Sequence, residues 1–541
     1  MKKVLISIIA VLLVILLALG GYLLYQYTHI FVEDAVYAKS AEMLDLRGTG
    51  ISVEHYLTVR EQLPECEVFW DVPFQGGSYS NDIETLTVTS LTEQDRAMLP
   101  YFHRLKKINA GGCTDYDQLE ALRLQLPKVE IVYQVDMGGK TVEPDSVQLT
   151  LGPGEVVYDV LMENLRHLPG MQALMLSKTT FSQEEIENIR AAYPEVDVDY
   201  TVDLLGSEYP SNTQSVDLSA MSGSDVEAVC GALPMLPLLT DVELMSGGTS
   251  QLTLQDVKAL NDAASQVVFH YTFDFNGKTI STTDESVRFT GSRLKDLDAD
   301  GLRSVLDVME NCERFVLEYW NYGALNNELL AQIREEYADR TKLVWRVFFG
   351  AGYCLTDVDV LRCTYDLTDS NSKGLYYCNE VRYVDFGHDT GLKDASFMAG
   401  MTSLEVAILS GSMVNDLSPL AGLPNLKILE VSNCGYLEDV SPLAQCPSLK
   451  MLNISYTAVS DLSALDEMEL ELMCAVKSKM SQEEKDRFVE QHPECLATYS
   501  GNEYGTGWRY LEDGKKRSWY EDIAVAFKYP HAPNMAGWYL D

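Results

Sequence analysis

The sequence predicts an α/β solenoid, a stack of repeats that share a parallel sheet. Three observations predict it: an aromatic anchor that returns at drifting intervals, a shorter leucine pattern near the C-terminus, and a long apolar run at the N-terminus. Stacked repeats tolerate loop insertions as long as their buried positions keep fixed offsets. We therefore expect a parallel sheet with inserted β-hairpins, an N-terminal transmembrane helix and a C-terminal cap rich in aromatic residues.

The N-terminal run is long enough to cross a bilayer. Residues from Val4 to Leu24 are almost all aliphatic, and a helix of that length spans roughly 30 Å of hydrocarbon. Lys2 and Lys3 precede the run and the next basic residue is Lys39. The positive-inside rule therefore predicts a cytoplasmic N-terminus and an extracytoplasmic body. A cleaved signal peptide is the alternative, although the run is longer than a usual signal core.

A long repeat occupies most of the chain after this run. Its anchor is an aromatic residue that closes a short strand pattern, and successive anchors are 63, 67, 71 and 74 residues apart. The anchors are Trp70, Tyr133, Tyr200, Tyr271 and Trp345. An apolar residue follows each anchor after 16 positions: Leu86, Leu149, Val216, Val287 and Leu361. Fixed offsets around a variable period predict one structural unit with loop insertions.

Local motifs place helices and hairpins inside each long repeat. Ser182 is predicted to cap a helix, with Glu185 completing a capping box, and Ser481 begins a similar pattern. Asn276-Gly277 lies between two alternating stretches, which is typical of a tight hairpin. Each long repeat is therefore expected to contain two strand–helix units and an inserted hairpin.

From residue 381 the repeat becomes short and regular. Four copies of the pattern apolar-x-x-apolar-x-apolar begin at Val381, Leu404, Leu426 and Leu449, with spacings of 23, 22 and 23 residues. This is leucine-rich-repeat spacing. Three matching turn segments follow the later strands: Asp416-Leu417-Ser418-Pro419-Leu420, Asp439-Val440-Ser441-Pro442-Leu443 and Asp461-Leu462-Ser463-Ala464-Leu465.

Residues 381–475 resemble the leucine-rich repeats of bacterial cell-surface proteins of the internalin type, whose units carry this Asp-(Leu/Ile)-Ser-Pro-Leu turn. The longer repeats upstream resemble a degenerate, padded form of the same solenoid. The resemblance implies a leucine-rich-repeat-like solenoid with an asparagine after each strand. That asparagine is replaced here by Asp389, Ser412, Cys434 and Thr457. We therefore expect mixed polar bonds in place of a continuous asparagine ladder.

The concave face of the regular strands is the candidate binding site. Side chains alternate along a strand, so the residues between the buried positions point to this face. They form one column of Tyr383, Val406, Ile428 and Met451 and a second of Asp385, Ile408, Glu430 and Asn453. With strands about 4.8 Å apart, the first column is an apolar ridge on the order of 15 Å long. Such a strip commonly marks a partner site, so we expect a protein or peptide ligand there.

The C-terminal segment is rich in aromatic residues, and three of the six tryptophans, Trp508, Trp519 and Trp538, lie in it. We expect it to cap the open end of the solenoid, since terminal repeats need a cap for solubility. It could instead fold over the concave ridge, or form a separate ligand-binding module, because clustered aromatics also build carbohydrate or peptide platforms. The basic cluster Lys515-Lys516-Arg517 is expected to pair with the acidic body.

Composition and motifs exclude several functions. The formal charge of −40 argues against nucleic acid or anionic lipid as the ligand, because a polyanion is repelled. The eight histidines lack the spacing of a zinc site, and the sequence has neither a nucleophile elbow nor a phosphate loop. We therefore expect no catalytic residue, metal or cofactor. One alternative is an envelope enzyme or accessory subunit with a glycan or cell-wall site in the aromatic C-terminal segment. Another is a purely architectural spacer, in which the ridge would be covered and no ligand would bind.

The 11 cysteines leave at least one thiol unpaired. Buried free thiols are the default expectation, because cysteine packs as a small hydrophobe. A disulfide between Cys354 and Cys363 is the alternative that an extracytoplasmic setting permits.

Four segments follow from these patterns: a cytoplasmic stub and transmembrane anchor over 1–28, a degenerate long-period repeat solenoid with hairpins over 29–380, regular leucine-rich repeats over 381–475, and a capping segment over 476–541. The predicted function is that of a single-pass, membrane-anchored extracytoplasmic protein that binds a protein or peptide at the cell surface without catalysis.

Overall fold

The computed structural model describes residues 2–295, 297–501, 507–511, 513–527 and 538–540. The chain divides into two compact units, Met1–Thr213 with Pro234–Leu238, and Gln214–Leu233 with Leu239–Asp541. This division falls inside the segment 29–380, which the sequence analysis treats as one domain. Both units mix α-helices with parallel strands, as the fold class predicts.

The first unit contains helices and strands in alternation. Its helices are α1 (Lys2–Thr28), α2 (Val53–Gln62), α3 (Glu93–Met98), α4 (Tyr116–Gln125), α5 (Tyr158–Asn164) and α6 (Gln183–Ala192). Its strands are β1 (His29–Val32), β2 (Ala35–Ala38), β3 (Met43–Asp45), β4 (Glu67–Phe69), β5 (Asp71–Phe74), β6 (Gly77–Ser80), β7 (Thr85–Thr87), β8 (Lys107–Asn109), β9 (Glu130–Val132), β10 (Val135–Asp136), β11 (Thr141–Val142), β12 (Gln148–Leu151), β13 (Ala173–Leu176), β14 (Asp197–Leu204) and β15 (Ser207–Pro210).

The second unit continues the same alternation and then changes to short strands joined by 3-10 turns. Its helices are α7 (Val226–Ala232), α8 (Leu254–Ala263), α9 (Ala299–Val308), α10 (Asn327–Glu336), α11 (Gln482–Gln491) and α12 (Ser518–Ala526). Its strands are β16 (Ser215–Asp217), β17 (Asp241–Glu243), β18 (Val268–His270), β19 (Thr272–Phe275), β20 (Lys278–Ser281), β21 (Ser286–Gly291), β22 (Arg314–Tyr319), β23 (Lys342–Phe349), β24 (Gly352–Leu355), β25 (Val360–Arg362), β26 (Tyr383–Asp385), β27 (Val406–Ile408), β28 (Ile428–Glu430), β29 (Met451–Asn453), β30 (Leu472–Cys474), β31 (Leu496–Thr498) and β32 (Trp538–Leu540).

Three parallel strands form the core of each complete long repeat. The sets are β7-β8-β9, β12-β13-β14, β16-β17-β18 and β21-β22-β23. The third strand of every set leads into an antiparallel hairpin: β10-β11, β14-β15, β19-β20 and β23-β24. The apolar residue that follows each anchor after 16 positions lies in a parallel strand, as predicted. The expected repeat of two strand–helix units and a hairpin is confirmed.

The local motifs are confirmed at two of three positions. Ser182 caps α6 by accepting a hydrogen bond from the Glu185 backbone, and the Glu185 carboxylate accepts one from the Ser182 backbone at 2.7 Å. Asn276 and Gly277 join β19 to β20 with φ of 51° and 83°, the left-handed pair of a tight hairpin. At Ser481 only half of the capping box forms, because the Glu484 carboxylate is held by the Arg487 guanidinium instead.

The regular repeats form one parallel sheet in the order β31-β30-β29-β28-β27-β26-β25, and β32 pairs antiparallel with β25 at its edge. The motif aspartates start the 3-10 turns on the opposite side. In each turn an aspartate Oδ1 accepts a hydrogen bond of 2.8 Å from the backbone of the serine two residues later: Asp394, Asp416, Asp439 and Asp461. These aspartates therefore have a structural role in the turn.

The ladder positions carry mixed polar bonds, as expected from their sequence. All four residues are buried: Asp389, Ser412, Cys434 and Thr457. The Ser412 Oγ lies 3.4 Å from the Cys434 Sγ, and the Cys434 thiol donates to the Leu409 carbonyl. Asp389 Oδ1 accepts a hydrogen bond of 2.8 Å from the Leu367 backbone.

The 11 cysteines form no disulfide, and nine of them are buried, in agreement with the default expectation. The alternative disulfide between Cys354 and Cys363 is not formed. The Cys354 Sγ instead lies 3.7 Å from the Cys378 Sγ. Burial raises the pKa of the Cys354 thiol well above its ordinary value, because a thiolate is poorly solvated in the core.

Helix α1 is long and apolar enough to cross a membrane, and its side chains are exposed along the whole helix. An apolar helix at this position is compatible with the predicted anchor and with a signal sequence.

Candidate functional site

The two predicted columns are in register across the sheet. Strand pairing aligns Tyr383, Val406, Ile428 and Met451 in one row and Asp385, Ile408, Glu430 and Asn453 in the other. The residues between the two rows point to the opposite face and are fully buried: Val384, Ala407, Leu429 and Leu452. The predicted alternation of side chains is therefore the one observed.

Both columns continue into the neighbouring strands, as far as Leu496 and Thr498 of β31 on one side. β25 adds Val360 and Arg362, and β30 adds Leu472 and Cys474. The sequence pattern did not reveal Val360, Arg362, Leu472 and Cys474, because cysteine, methionine and alanine occupy apolar positions of the motif in β25 and β30. A pattern that accepted small and sulfur-containing residues would have extended the array.

A C-terminal module covers this face. It comprises residues 507–511 and 513–527, a small hairpin followed by α12, and is called the tail module below. Side chains of the sheet and the tail module form one buried cluster: Val360, Val406, Ile408, Ile428, Leu472, Cys474, Trp508, Ile523 and Phe527. Trp508 is 1% exposed and Ile428 only 7%. The predicted ridge is thus an interior surface of the second unit.

The tail module packs on the concave strands, which is the alternative that the sequence left open. Other described parts of the C-terminal segment lie at the two ends of the sheet, where β31 pairs with β30 and β32 pairs with β25. The cap at the open end stays a prediction. The tail module covers the ridge because burying an apolar strip against other apolar groups lowers the free energy of the folded chain. The predicted capping segment 476–541 also contains residues that lie outside the described ones, among them 502–506 and 528–537.

The α12 helix contacts the cluster with one face. Ile523 and Phe527 are buried, and Trp519 packs against the same cluster. These residues are spaced by four positions, so they lie on one side of a helix. Val525, on the other side, is 77% exposed. The helix is therefore amphipathic with respect to the concave face.

Glu430 is the polar centre of the contact. Its carboxylate accepts a hydrogen bond of 2.6 Å from the Trp508 indole and another of 2.6 Å from the Arg509 guanidinium. The Ser410 hydroxyl donates to the same carboxylate at 2.8 Å. Glu430 is only 4% exposed. A buried carboxylate needs such partners, because its charge is otherwise strongly destabilised by the loss of water.

The other two polar residues of the second column bond to their own loops. The Asp385 Oδ1 accepts a hydrogen bond from the Gly387 backbone, and the Asn453 Oδ1 accepts one from the Ser455 backbone, each at 3.0 Å. Both residues are buried. The Asp385 carboxylate also pairs with Arg362 of the neighbouring strand at 3.7 Å.

The basic cluster of the tail module bonds within the module. Lys515 pairs with Asp513 at 2.9 Å, and the Arg517 guanidinium donates to the Gly507 carbonyl at 2.7 Å. Among the described residues, the tail cation that forms an ion pair with the repeats is Arg509, through Glu430. The expected pairing of Lys515-Lys516-Arg517 with the acidic body is not seen within that part of the chain.

One cluster in the first unit has the residue types of metal ligands: Asp117, Glu120 and His167. The His167 Nδ1 lies 2.9 Å from the Glu120 carboxylate, and Arg166 pairs with Asp117 at 3.3 Å. These ion pairs account for the arrangement, since Arg166 already neutralises part of its negative charge.

No protein-family model matches the chain, and no curated protein matches it. Solved structures do. Internalin C2 of Listeria monocytogenes is 16% identical, with a TM-score of 0.22 over 51% of this chain and 80% of that one. Internalin F of the same organism is 14% identical, with a TM-score of 0.22 over 79% and 91%. A leucine-rich-repeat protein of Leptospira interrogans is 11% identical, with a TM-score of 0.19 over 76% and 93%.

These structural neighbours are internalins and other leucine-rich-repeat proteins. Their TM-scores describe no shared overall arrangement, so the fold assignment rests on the chain's own repeats. Parallel strands recur at the motif spacing on both sides of β28, the strand that contains Leu429, and each is followed by a 3-10 turn. The regular repeats are leucine-rich repeats.

Proposed function

We propose that this protein is a membrane-anchored, extracytoplasmic leucine-rich-repeat protein that binds a protein or peptide segment on its concave face. The observation that carries the proposal is the contact at Glu430, where the face already holds an amphipathic helix preceded by a tryptophan and an arginine. A surface that packs one such segment has the shape and chemistry to bind another. The predicted site residues are Tyr383, Asp385, Val406, Ile408, Ile428, Glu430, Met451 and Asn453.

The chemistry of the face favours a cationic, aromatic partner. The apolar column offers area for aromatic side chains, and Glu430 offers one buried carboxylate at its centre. The formal charge of −40 would also attract a basic segment and repel an acidic one.

The anchor is part of the proposal. Helix α1 would hold the body at the membrane with a cytoplasmic N-terminus, as Lys2 and Lys3 before the apolar run favour.

The alternative of an envelope enzyme or accessory subunit has less support. A glycan platform needs aromatic faces open to solvent, whereas the Trp508 ring is buried and lies 5.1 Å from the half-buried Trp519 ring. The non-catalytic function is therefore the one we propose.

A peptide-display screen against the full-length protein in detergent tests the concave site. We expect selected peptides to pair an aromatic residue with an arginine. Replacing that arginine by glutamine in a selected peptide should weaken its binding to the parent protein about 10- to 100-fold, because a charge-assisted hydrogen bond to Glu430 is lost. The Glu430→Gln variant should lose this difference between the two peptides, and Glu438→Gln, the matched control that is exposed in the same repeat outside the strand, should keep it. An equal difference in both variants would contradict the concave site.

A further inference from the structure

We propose that the tail module is a displaceable internal ligand of the concave face, and that the partner replacing it is a protein segment of the same chemistry: an amphipathic helix with aromatic anchors, preceded by a tryptophan and an arginine. The inference rests on the proposed function and names the partner class of that site.

The tail module is bonded mainly within itself. Its hairpin is closed by backbone hydrogen bonds from Leu511 to Lys515 and from Arg517 to Arg509, at 2.7 and 2.9 Å. Its helix is closed by its own turns, such as the bond from Phe527 to Ile523. The module therefore satisfies these backbone groups without the sheet, and it could leave the concave face without exposing them. Release of the longer fragment 507–541 would in addition open the pairing of β32 with the edge strand β25.

The repeats keep a separate core of their own. Their core residues lie on the opposite side of the strands from the tail module, as Leu429 and Leu452 illustrate. The ladder bonds, such as that between Ser412 and Cys434, also lie within the repeats. Departure of the module would expose the concave side chains and leave this core covered.

The polar groups of the tail module are well paired with the sheet at Trp508 and Arg509 and poorly paired at Trp519. At Trp508 and Arg509 the donors converge on the Glu430 carboxylate. At Trp519 the indole Nε1 is buried with no hydrogen-bond partner among the described residues. A buried donor without a partner costs about 1–3 kcal/mol. A competing segment that satisfies this position would have the advantage over the tail module.

The module defines what its competitor must present. Glu430 requires donors equivalent to the Trp508 indole and the Arg509 guanidinium. The apolar column requires anchors spaced like Trp519, Ile523 and Phe527, which is the pattern of helix-in-groove recognition. The exposed side of the helix, represented by Val525, is free to vary.

An exchange experiment on the full-length protein tests the proposal. A site-specific protease sequence replaces residues 502–506, so that cleavage leaves the fragment 507–541 held by contacts alone. A fluorescent synthetic peptide of residues 507–541 is then added in excess, and its anisotropy and the elution of the original fragment are measured. We expect the peptide to bind as the fragment is released, while circular dichroism of the repeats is retained.

Two variant peptides make the test specific. A peptide with Trp508→Ala and Arg509→Ala should bind about 30-fold or more weakly, as expected when tryptophan and arginine anchors are lost. A peptide with Val525→Ala is the matched control and should bind within about twofold of the parent, because an exposed side chain contributes little. Equal binding by all three peptides would overturn the assigned recognition chemistry.

The remaining outcomes are also decisive. A fragment that never exchanges, or a protein that unfolds when the fragment leaves, would show that the tail module is a permanent part of the fold. Exchange without any external competitor in the display screen would leave the module displaceable and refute the proposed function. An external ligand that binds without releasing the fragment would leave that function standing and refute displacement.

Discussion

Asp389 shows how a single ladder residue departs from the asparagine that the repeat family usually has. Its carboxylate is 1% exposed, and its Oδ2 has no hydrogen-bond partner among the described residues. Loss of water and the nearby Asp385 and Asp366 carboxylates raise the pKa of Asp389 to about 7. The buried group therefore holds its proton more tightly than the unfolded chain does.

The Asp389→Asn variant should be more stable than the parent at high pH. The unfolded carboxyl releases its proton near pH 4 and the folded one near pH 7. Stability of the parent is therefore lost as pH rises through this window, by at most about 4 kcal/mol. Asparagine does not ionise, so the variant should escape this loss. Thermal unfolding of the parent and the variant at pH 4 and pH 8 measures this loss. A stability difference between the two proteins that is equal at both pH values would contradict the raised pKa of Asp389.

Asp416 is a control, because its contribution to stability should change with pH in the direction opposite to that of Asp389. The hydrogen bonds of Ser418 lower the pKa of the Asp416 carboxyl in the folded turn. That stabilisation is present above the unfolded pKa and disappears as pH falls through the folded pKa. Asp416→Asn should therefore lower stability at pH 8 and have little effect in strong acid.

At the scale of single elements, the hairpin glycine and a helical glycine should respond oppositely to alanine. Gly277 has φ of 83° and Gly231 lies in α7 with no positive φ, and neither has an atom within 4 Å of an added Cβ. Gly277→Ala should lower stability by about 1 kcal/mol, because the left-handed region disfavours a side chain. Gly231→Ala should raise it by roughly 0.5 kcal/mol. Denaturant unfolding of the two variants measures both changes in stability. Changes of the same sign in the two variants would contradict the turn geometry at Gly277.

Elements specified by neighbouring residues could be predicted from the sequence. The hairpin at Asn276, the capping box at Ser182 and the two concave columns all follow from spacings of a few residues. The half-formed box at Ser481 could not be predicted, because Arg487 competes for the Glu484 carboxylate. That competition depends on side-chain geometry, which spacing does not describe.

The sequence predicted which residues of the candidate site share one face of the sheet. It did not predict whether that face is exposed to solvent. Alternation along the strands identified Ile428 and Glu430 as concave residues. Their burial depends on Trp508, which lies 78 residues after Glu430 in the chain. A contact between such distant segments leaves no periodic pattern, so the sequence allowed both an end cap and a cover.

At the scale of the whole molecule, the excess of acidic residues is the dominant feature. The formal charge of −40 is spread over a chain with 81 acidic and 41 basic residues, which keeps exposed repeats soluble. The division into two compact units was not predictable from the repeat period, because the same long repeat continues on both sides of residue 213.

Helix α1 fits both a membrane anchor and a signal sequence, and the two differ in what becomes of the N-terminus. If α1 remains in the membrane, a tag before Lys2 should stay attached to a product of about full length and be protected from protease added to intact cells. The body after Thr28 should be digested in the same experiment, since the positive-inside rule places it outside. A tag that is lost from a shortened, released body would identify α1 as a signal sequence. A body that survives in intact cells and is digested only after lysis would reverse the topology, and the concave face would then have to meet its partner inside the cell.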